Sequence, residues 1–182
     1  MKNGNVGFGC VGTGMAGLIH AREFPYVKGA EIAAVCSRNK ESVQKFAREF
    51  GVARWYTDYR DLINDENVDV VNVLLPTGEH MDVTLAAAQA GKHVLVEKPL
   101  DINLERADQM IRACRASGSK LGVIFQMRFG SVAKLLKRTV ESGALGRVFL
   151  ADAFDKSSRT PGYYNAAEWR GTRRLEGGGC LM

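Results

Sequence analysis

Apolar runs of strand length alternate along the chain with stretches in which apolar residues recur every three or four positions. The runs "NVGFGCVG" (5–12), "AEIAAVCSR" (30–38), "VDVVNVLLP" (68–76), "HVLVEKP" (93–99) and "KLGVIFQMRF" (120–129) read as five strands. The third is apolar almost throughout, as a strand covered on both faces must be. Between and after them, "MAGLIHAREF" (15–24), "KESVQKFAREFG" (40–51), "HMDVTLAAAQAG" (80–91), "NLERADQMIRACRASG" (103–118) and "SVAKLLKRTVESG" (131–143) read as helices. In the second of these, Val43, Phe46, Ala47 and Phe50 share one face and Gly51 supplies the stop. Thr57 and Asp58 can cap a further short helix at "YRDLIN". Strands and helices that alternate through short connections build βαβ units. The expected fold class is therefore α/β, a doubly wound parallel sheet. After residue 143 the rhythm changes: "GRVFLADAFDKSS" (146–158) reads as one longer strand with an open edge, followed by a turn-rich stretch. The expected organisation is one domain over residues 1–143 and the beginning of a second, α+β domain over 144–182.

Composition narrows this little. The chain has 182 residues, 46% of them apolar, and no run of about 18 apolar residues of the kind a membrane helix needs. No apolar leader precedes the first glycines, so a cytoplasmic location and no membrane partner are expected. The cysteines at 10, 36, 114 and 180 are far apart and form no C-x-x-C pair, which favours reduced structural thiols over a disulfide framework or a metal site. Charge is uneven: residues 1–119 sum to −1 and residues 120–182 to +6. The basic groups are dispersed and no nucleic-acid motif accompanies them. A phosphorylated small ligand, or an acidic remainder of the protein, accounts for them at least as well as nucleic acid does.

"GTGMAG" (12–17) fits G-x-G-x-x-G directly after a strand and at the opening of a helix. Gly12 permits the tight turn, Gly14 admits a pyrophosphate close to backbone, and Gly17 lets the helix pack close to the sheet. Thr13 and Met15 belong to the same turn, and the helix N-terminus offers N–H groups and a positive dipole end to phosphates. A nicotinamide adenine dinucleotide site of the unphosphorylated kind usually carries Asp or Glu about 20 residues on. Here the second strand ends in Ser37-Arg38-Asn39-Lys40. With no carboxylate to repel a 2′-phosphate, and with Ser37 and Arg38 able to bind one, NADP is the expected preferred cofactor and NAD the second candidate. The fourth strand runs out into Glu97-Lys98-Pro99, at the sheet edge where the redox end of a dinucleotide lies. Lys98 there can hydrogen-bond a substrate oxygen and exchange a proton with it, with Glu97 and Pro99 directing it.

The stretches "VGFGCVGTGMAGLIHA", "VLLPTGEHMDVTLAAAQAGKHVLVEKPL" and "EWRGTRRLEGGGCLM" together resemble the Gfo/Idh/MocA oxidoreductases, whose hallmark is the E-K-P triplet. The resemblance implies reversible hydride transfer between NAD(P) and a sugar, cyclitol or related polyol. It also implies a catalytic or substrate-binding Lys98, often followed by a cis peptide bond. Leu75, Pro76 and His80 match the family's loop under the nicotinamide ribose, and Glu97 shares the cofactor end of the crevice with Lys98. Trp169 and Arg170 match a pair that in some relatives reaches the cofactor, with core packing an equal alternative for Trp169. Gln126 and Arg128 take positions where relatives carry substrate contacts. His20 reads as structural, and His93 has no evident role.

The family's D-x-x-x-H segment, whose histidine serves as acid/base, would follow "GGGCLM", where this sequence stops. The resemblance thus implies the N-terminal part of a longer enzyme, which binds NADP(H) but turns over little by itself, and homo-oligomers built through the missing C-terminal sheet. The alternative is a non-catalytic NADP-binding protein, a sensor or an assembly subunit. An in-frame Asp with a His four residues later, beyond Met182, separates the two.

Overall fold

Six parallel strands form one sheet in a computed structural model of the chain, which describes residues 4–178. They are β1 (Val6–Val11), β2 (Ala30–Cys36), β3 (Trp55–Tyr56), β4 (Val70–Val73), β5 (His93–Glu97) and β6 (Leu121–Ile124), arranged β3-β2-β1-β4-β5-β6. The order reverses at β1, so its carboxyl end is the switch point of a doubly wound sheet, as expected. Helices α1 (Met15–Glu23), α2 (Lys40–Phe50), α3 (Tyr59–Asn64), α4 (His80–Gln89) and α5 (Leu104–Ser117) connect the strands. Buried side chains form two clusters. One joins Leu62 of α3, Val83 of α4 and Met110 of α5 to Val71, Val94 and Val96 of the sheet. The other joins Ala21 of α1 with Val43 and Phe46 of α2 to Cys10 and Val35. Both faces are covered, which is why β4 carries so few polar residues.

Local chemistry sets the helix ends. The side chains of Asn39, Asp58 and Asn103 each accept an N–H from the first turn of α2, α3 and α5. Gly51 and Gly118, both left-handed, close α2 and α5. His93 at the start of β5 accepts the Lys120 N–H at 3.1 Å and ties the approach to β6. Cys10, Cys36 and Cys114 are free and buried, while Cys180 lies outside the described residues. Burial pushes Cys10 up to about 12 against a hydrogen bond from Asn72. Burial, with the nearby carboxylates of Asp58 and Asp61, does the same to Cys36.

Three elements differ from expectation. β3 is only two residues long and leaves no periodicity to read. The strand expected over 120–129 stops at Ile124, because the ladder of its single neighbour ends where Glu97 pairs with Ile124; Gln126–Phe129 then turns as a one-turn helix. Residues 146–158 form no strand. A strand needs a ladder partner, and the exposed edge expected there is absent with it. The chain divides into two compact units, residues 4–124 with 169–178, and residues 125–168. The second holds α6 (Ser131–Glu141), with Val132, Leu135, Leu136 and Val140 exposed, and the short α7 (Pro161–Asn165).

Leu62 is fully buried in the first cluster. Leu62→Ala is expected to cost about 2–5 kcal/mol, read as a lower urea midpoint with an unchanged slope.

Candidate functional site

The carboxyl ends of β1, β2, β4 and β5 converge on one edge of the sheet, and the loops beyond them carry most of the sequence-predicted site residues. After β1 the chain turns at Gly12, whose φ of 121° is a left-handed conformation and whose N–H donates to Cys36 O at 2.9 Å. A Cβ on Gly12 would strike the Leu74 carbonyl, and one on Gly17 would strike the Gly12 carbonyl. Both glycines therefore have an internal steric reason. Gly14 has none: its φ is −76°, and an added Cβ would meet nothing within 4 Å. The Thr13 and Ser42 hydroxyls lie 2.7 Å apart and join this turn to α2. Met15 opens α1 and is 65% exposed. No side chain caps α1 and no acidic residue lies in its first turn.

At the end of β2, Ser37 donates its N–H to Tyr56 O at 3.2 Å and is half-buried. Arg38 projects outward, and its Nη2 lies 3.1 Å from Glu79 Oε1 and 3.3 Å from Oε2. Beyond β4, His80 is buried with its ring between backbone carbonyls. Nε2 is 2.9 Å from Leu75 O, and Nδ1 is 3.1 Å from Pro99 O and 3.2 Å from Leu100 O. The imidazole thus stands between the loop after β4, which carries Leu75 and Pro76, and the loop after β5; a neutral ring has one N–H and donates to one of the two. Arg106 adds a second fastening: Nε donates to the buried Asp101 carboxylate at 2.6 Å and Nη2 donates to Gly78 O at 2.9 Å.

β5 ends at Glu97, and Lys98 is joined to Pro99 by a cis peptide bond. A polar chain runs beneath it. Asn72, fully buried in β4, is 3.0 Å from His20 Nδ1, and His20 Nε2 is 3.0 Å from Glu97 Oε1. Glu97 Oε2 accepts the Lys98 N–H at 3.0 Å. The tautomer that satisfies both neighbours carries its proton on Nε2, donating to Glu97 and accepting from the Asn72 amide at Nδ1. Burial raises the Glu97 carboxyl, but the hydrogen bonds from His20 and from the Lys98 N–H, with the Lys98 charge, outweigh it and hold Glu97 below its ordinary value of 4.5. Lys98 itself is exposed, and its ammonium has no ion-pair or hydrogen-bond partner among the described residues.

The segment from Trp169 belongs to the same unit as the sheet. It docks through Leu175 O, which accepts the Gly78 N–H at 2.9 Å, and the Arg170 guanidinium lies 5.5 Å from the centre of the Trp169 ring. Gln126 and Arg128 lie in the one-turn helix of the second unit. Sequence reasoning passed over Asn72, Glu79, Asp101 and Arg106, and read His20 as structural only. Asn72 left one signal, a polar side chain inside an apolar strand.

The family model described as "Oxidoreductase family, NAD-binding Rossmann fold" (Gfo/Idh/MocA) matches residues 6–125. Myo-inositol 2-dehydrogenase of Thermotoga maritima is 35% identical over 139 residues, covering 76% of this chain and 42% of the relative. 1,5-Anhydro-D-fructose reductase of Ensifer adhaerens is 33% identical over 154 residues, covering 85% of this chain and 45% of the relative. The chain thus spans less than half the length of these two curated relatives. Among solved structures, the WlbA dehydrogenase of Bordetella pertussis in complex with NADH and UDP-GlcNAcA superposes with a TM-score of 0.85 at 30% identity, over 94% of this chain and 53% of that one.

Because Glu97 is depressed in the folded state, the stability it contributes is present above its unfolded value of 4.5 and is lost as pH falls through the lower folded value. The backbone amide of Lys98, which donates to this carboxylate, is expected to show a midpoint below 4.5 in an NMR pH titration. His20→Ala should move that midpoint upward and cost about 1–3 kcal/mol at neutral pH.

Proposed function

The chain belongs to the Gfo/Idh/MocA oxidoreductase family, and on that premise we propose that it carries the dinucleotide half of an enzyme that transfers a hydride between a nicotinamide dinucleotide and a secondary hydroxyl carbon of a sugar, cyclitol or related polyol. One observation carries the reading. Gly12 and Gly17 are demanded by the chain's own packing, whereas Gly14 faces open space in a backbone conformation any residue adopts. A side chain there would stand over the uncapped first turn of α1, in the volume a pyrophosphate needs to reach its N–H groups. The cradle therefore fits the cofactor, and no steric contact among the described residues requires a glycine at this N-cap position.

On this reading the turn Gly12–Met15 holds the diphosphate, while Ser37 and Arg38 face the adenosine end. Their hydroxyl and guanidinium, with no carboxylate on the β2 loop, support NADP(H) as the preferred form. Leu75 and Pro76 line the ribose next to the redox ring, and His80 sets their position from beneath. The bound dinucleotide supplies the hydride acceptor or donor. Lys98 holds the substrate oxygen: its ammonium is free of ion pairs with the described residues at the end of β5, and Glu97 fixes the backbone from which it projects. Trp169 and Arg170 are proposed to reach the cofactor, and Gln126 and Arg128 to touch substrate. The polyol class is supported by the names of the inositol dehydrogenase and anhydrofructose reductase relatives.

The test is direct. NADPH or NADH titrated into the chain is expected to quench its tryptophan fluorescence in a saturable way. Gly14→Val should stay folded, losing about 1 kcal/mol to a poorer N-cap, and weaken binding at least tenfold. Equal binding by the two proteins would overturn the reading.

A further inference from the structure

The crevice is crossed by a contact that the reading above does not use. Arg38 follows β2 and Glu79 follows β4, the two strands that flank β1. Neighbouring strands lie ~4.8 Å apart, so an ion pair between these loops arches over the carboxyl end of β1, where the glycine turn begins. Its two members are not alike. The Arg38 side chain is 81% exposed, whereas that of Glu79 is 25% exposed. Glu79 donates its N–H to Pro76 O at 2.9 Å and sits between Gly78, whose N–H and carbonyl are taken by Leu175 and Arg106, and the buried His80. The carboxylate stands on a braced post, and the guanidinium is the mobile partner.

We propose that Glu79 is a specificity-determining residue for the dinucleotide, supplying from across the crevice the carboxylate that the β2 loop lacks. The inference rests on the reading of the crevice as a dinucleotide site. A carboxylate at the adenosine end accepts from a ribose 2′-hydroxyl and repels a 2′-phosphate, which carries about −1.5 to −2 charges. Glu79 also occupies Arg38, the cation best placed to pair with that phosphate. The two residues thus pull the preference in opposite directions: Arg38 toward the phosphorylated cofactor and Glu79 toward the unphosphorylated one. The preference of the chain is their difference. The Arg38 side of the pair is open to solvent, so each contribution is of the size of one solvent-screened charge contact, about fivefold in relative affinity.

The experiment measures dissociation constants of NADPH and NADH, by fluorescence and by calorimetry, for the parent chain, Glu79→Gln, Glu79→Asp and Arg38→Gln. Circular dichroism confirms that each is folded. Glu79→Gln is expected to raise the NADPH-to-NADH affinity ratio about fivefold, Arg38→Gln to lower it, and Glu79→Asp, which keeps the charge, to stay near the parent. A ratio unchanged in Glu79→Gln, in a protein that binds both dinucleotides, overturns the role of Glu79 and leaves the crevice reading intact. If the parent chain binds neither, both fall together.

Discussion

The close seat of α1 on the end of β1 is the constraint on which the rest of the edge depends. With a Cβ on Gly17 excluded by the Gly12 carbonyl and a Cβ on Gly12 excluded by the Leu74 carbonyl, helix, turn and the end of β4 meet as bare backbone. That seat points the uncapped start of α1 at the sheet edge. One turn past Gly17, it also brings His20 within 3.0 Å of both Asn72 and Glu97. A bulkier contact would lift the helix and break those hydrogen bonds, leaving the buried Asn72 amide only the weak Cys10 Sγ acceptor at 3.9 Å, a loss of about 1–3 kcal/mol. The geometry of the glycine turn and the geometry of the strand end that carries Lys98 are therefore one geometry, transmitted through an imidazole.

A second set of fastenings does the same work between loops. Both ring nitrogens of His80 and both engaged nitrogens of Arg106 face backbone or a buried carboxylate. Loops that would otherwise be mobile are thus held to the rigid sheet, as a site built for orientation requires. This also accounts for three of the buried polar residues. Asn72, His80 and Asp101 are buried at the carboxyl edge, where they hold loops and strand ends.

How much of this the sequence discloses follows from how local each cause is. Strand and helix alternation, the Gly51 stop and the Asp58 cap rest on neighbours within a few residues, and they read directly. Family membership reads from motifs, "GTGMAG" and "EKP". The strand expected at 146–158 fails because strand formation depends on a distant partner, and an apolar run says nothing of whether one is present. His20, Asn72 and Glu97 are 52 and 25 residues apart along the chain, so their meeting is a property of topology. The same holds for Arg38 and Glu79, 41 residues apart.

That last pair shows why cofactor preference resists reading from the β2 loop alone. A motif argument compares one short segment with a pattern: acid present, unphosphorylated; acid absent and base present, phosphorylated. The ligand, however, meets every group that the fold brings to the crevice mouth, and strand order places the β4 loop there as surely as the β2 loop. A carboxylate supplied from the far side counts electrostatically as much as one supplied from the near side, since the interaction depends on separation and screening and is indifferent to chain position. On the proposed reading, charge at the adenosine end is thus a sum over two loops on either side of β1. In this chain that sum is +1 from Arg38 and −1 from Glu79 before any ligand arrives.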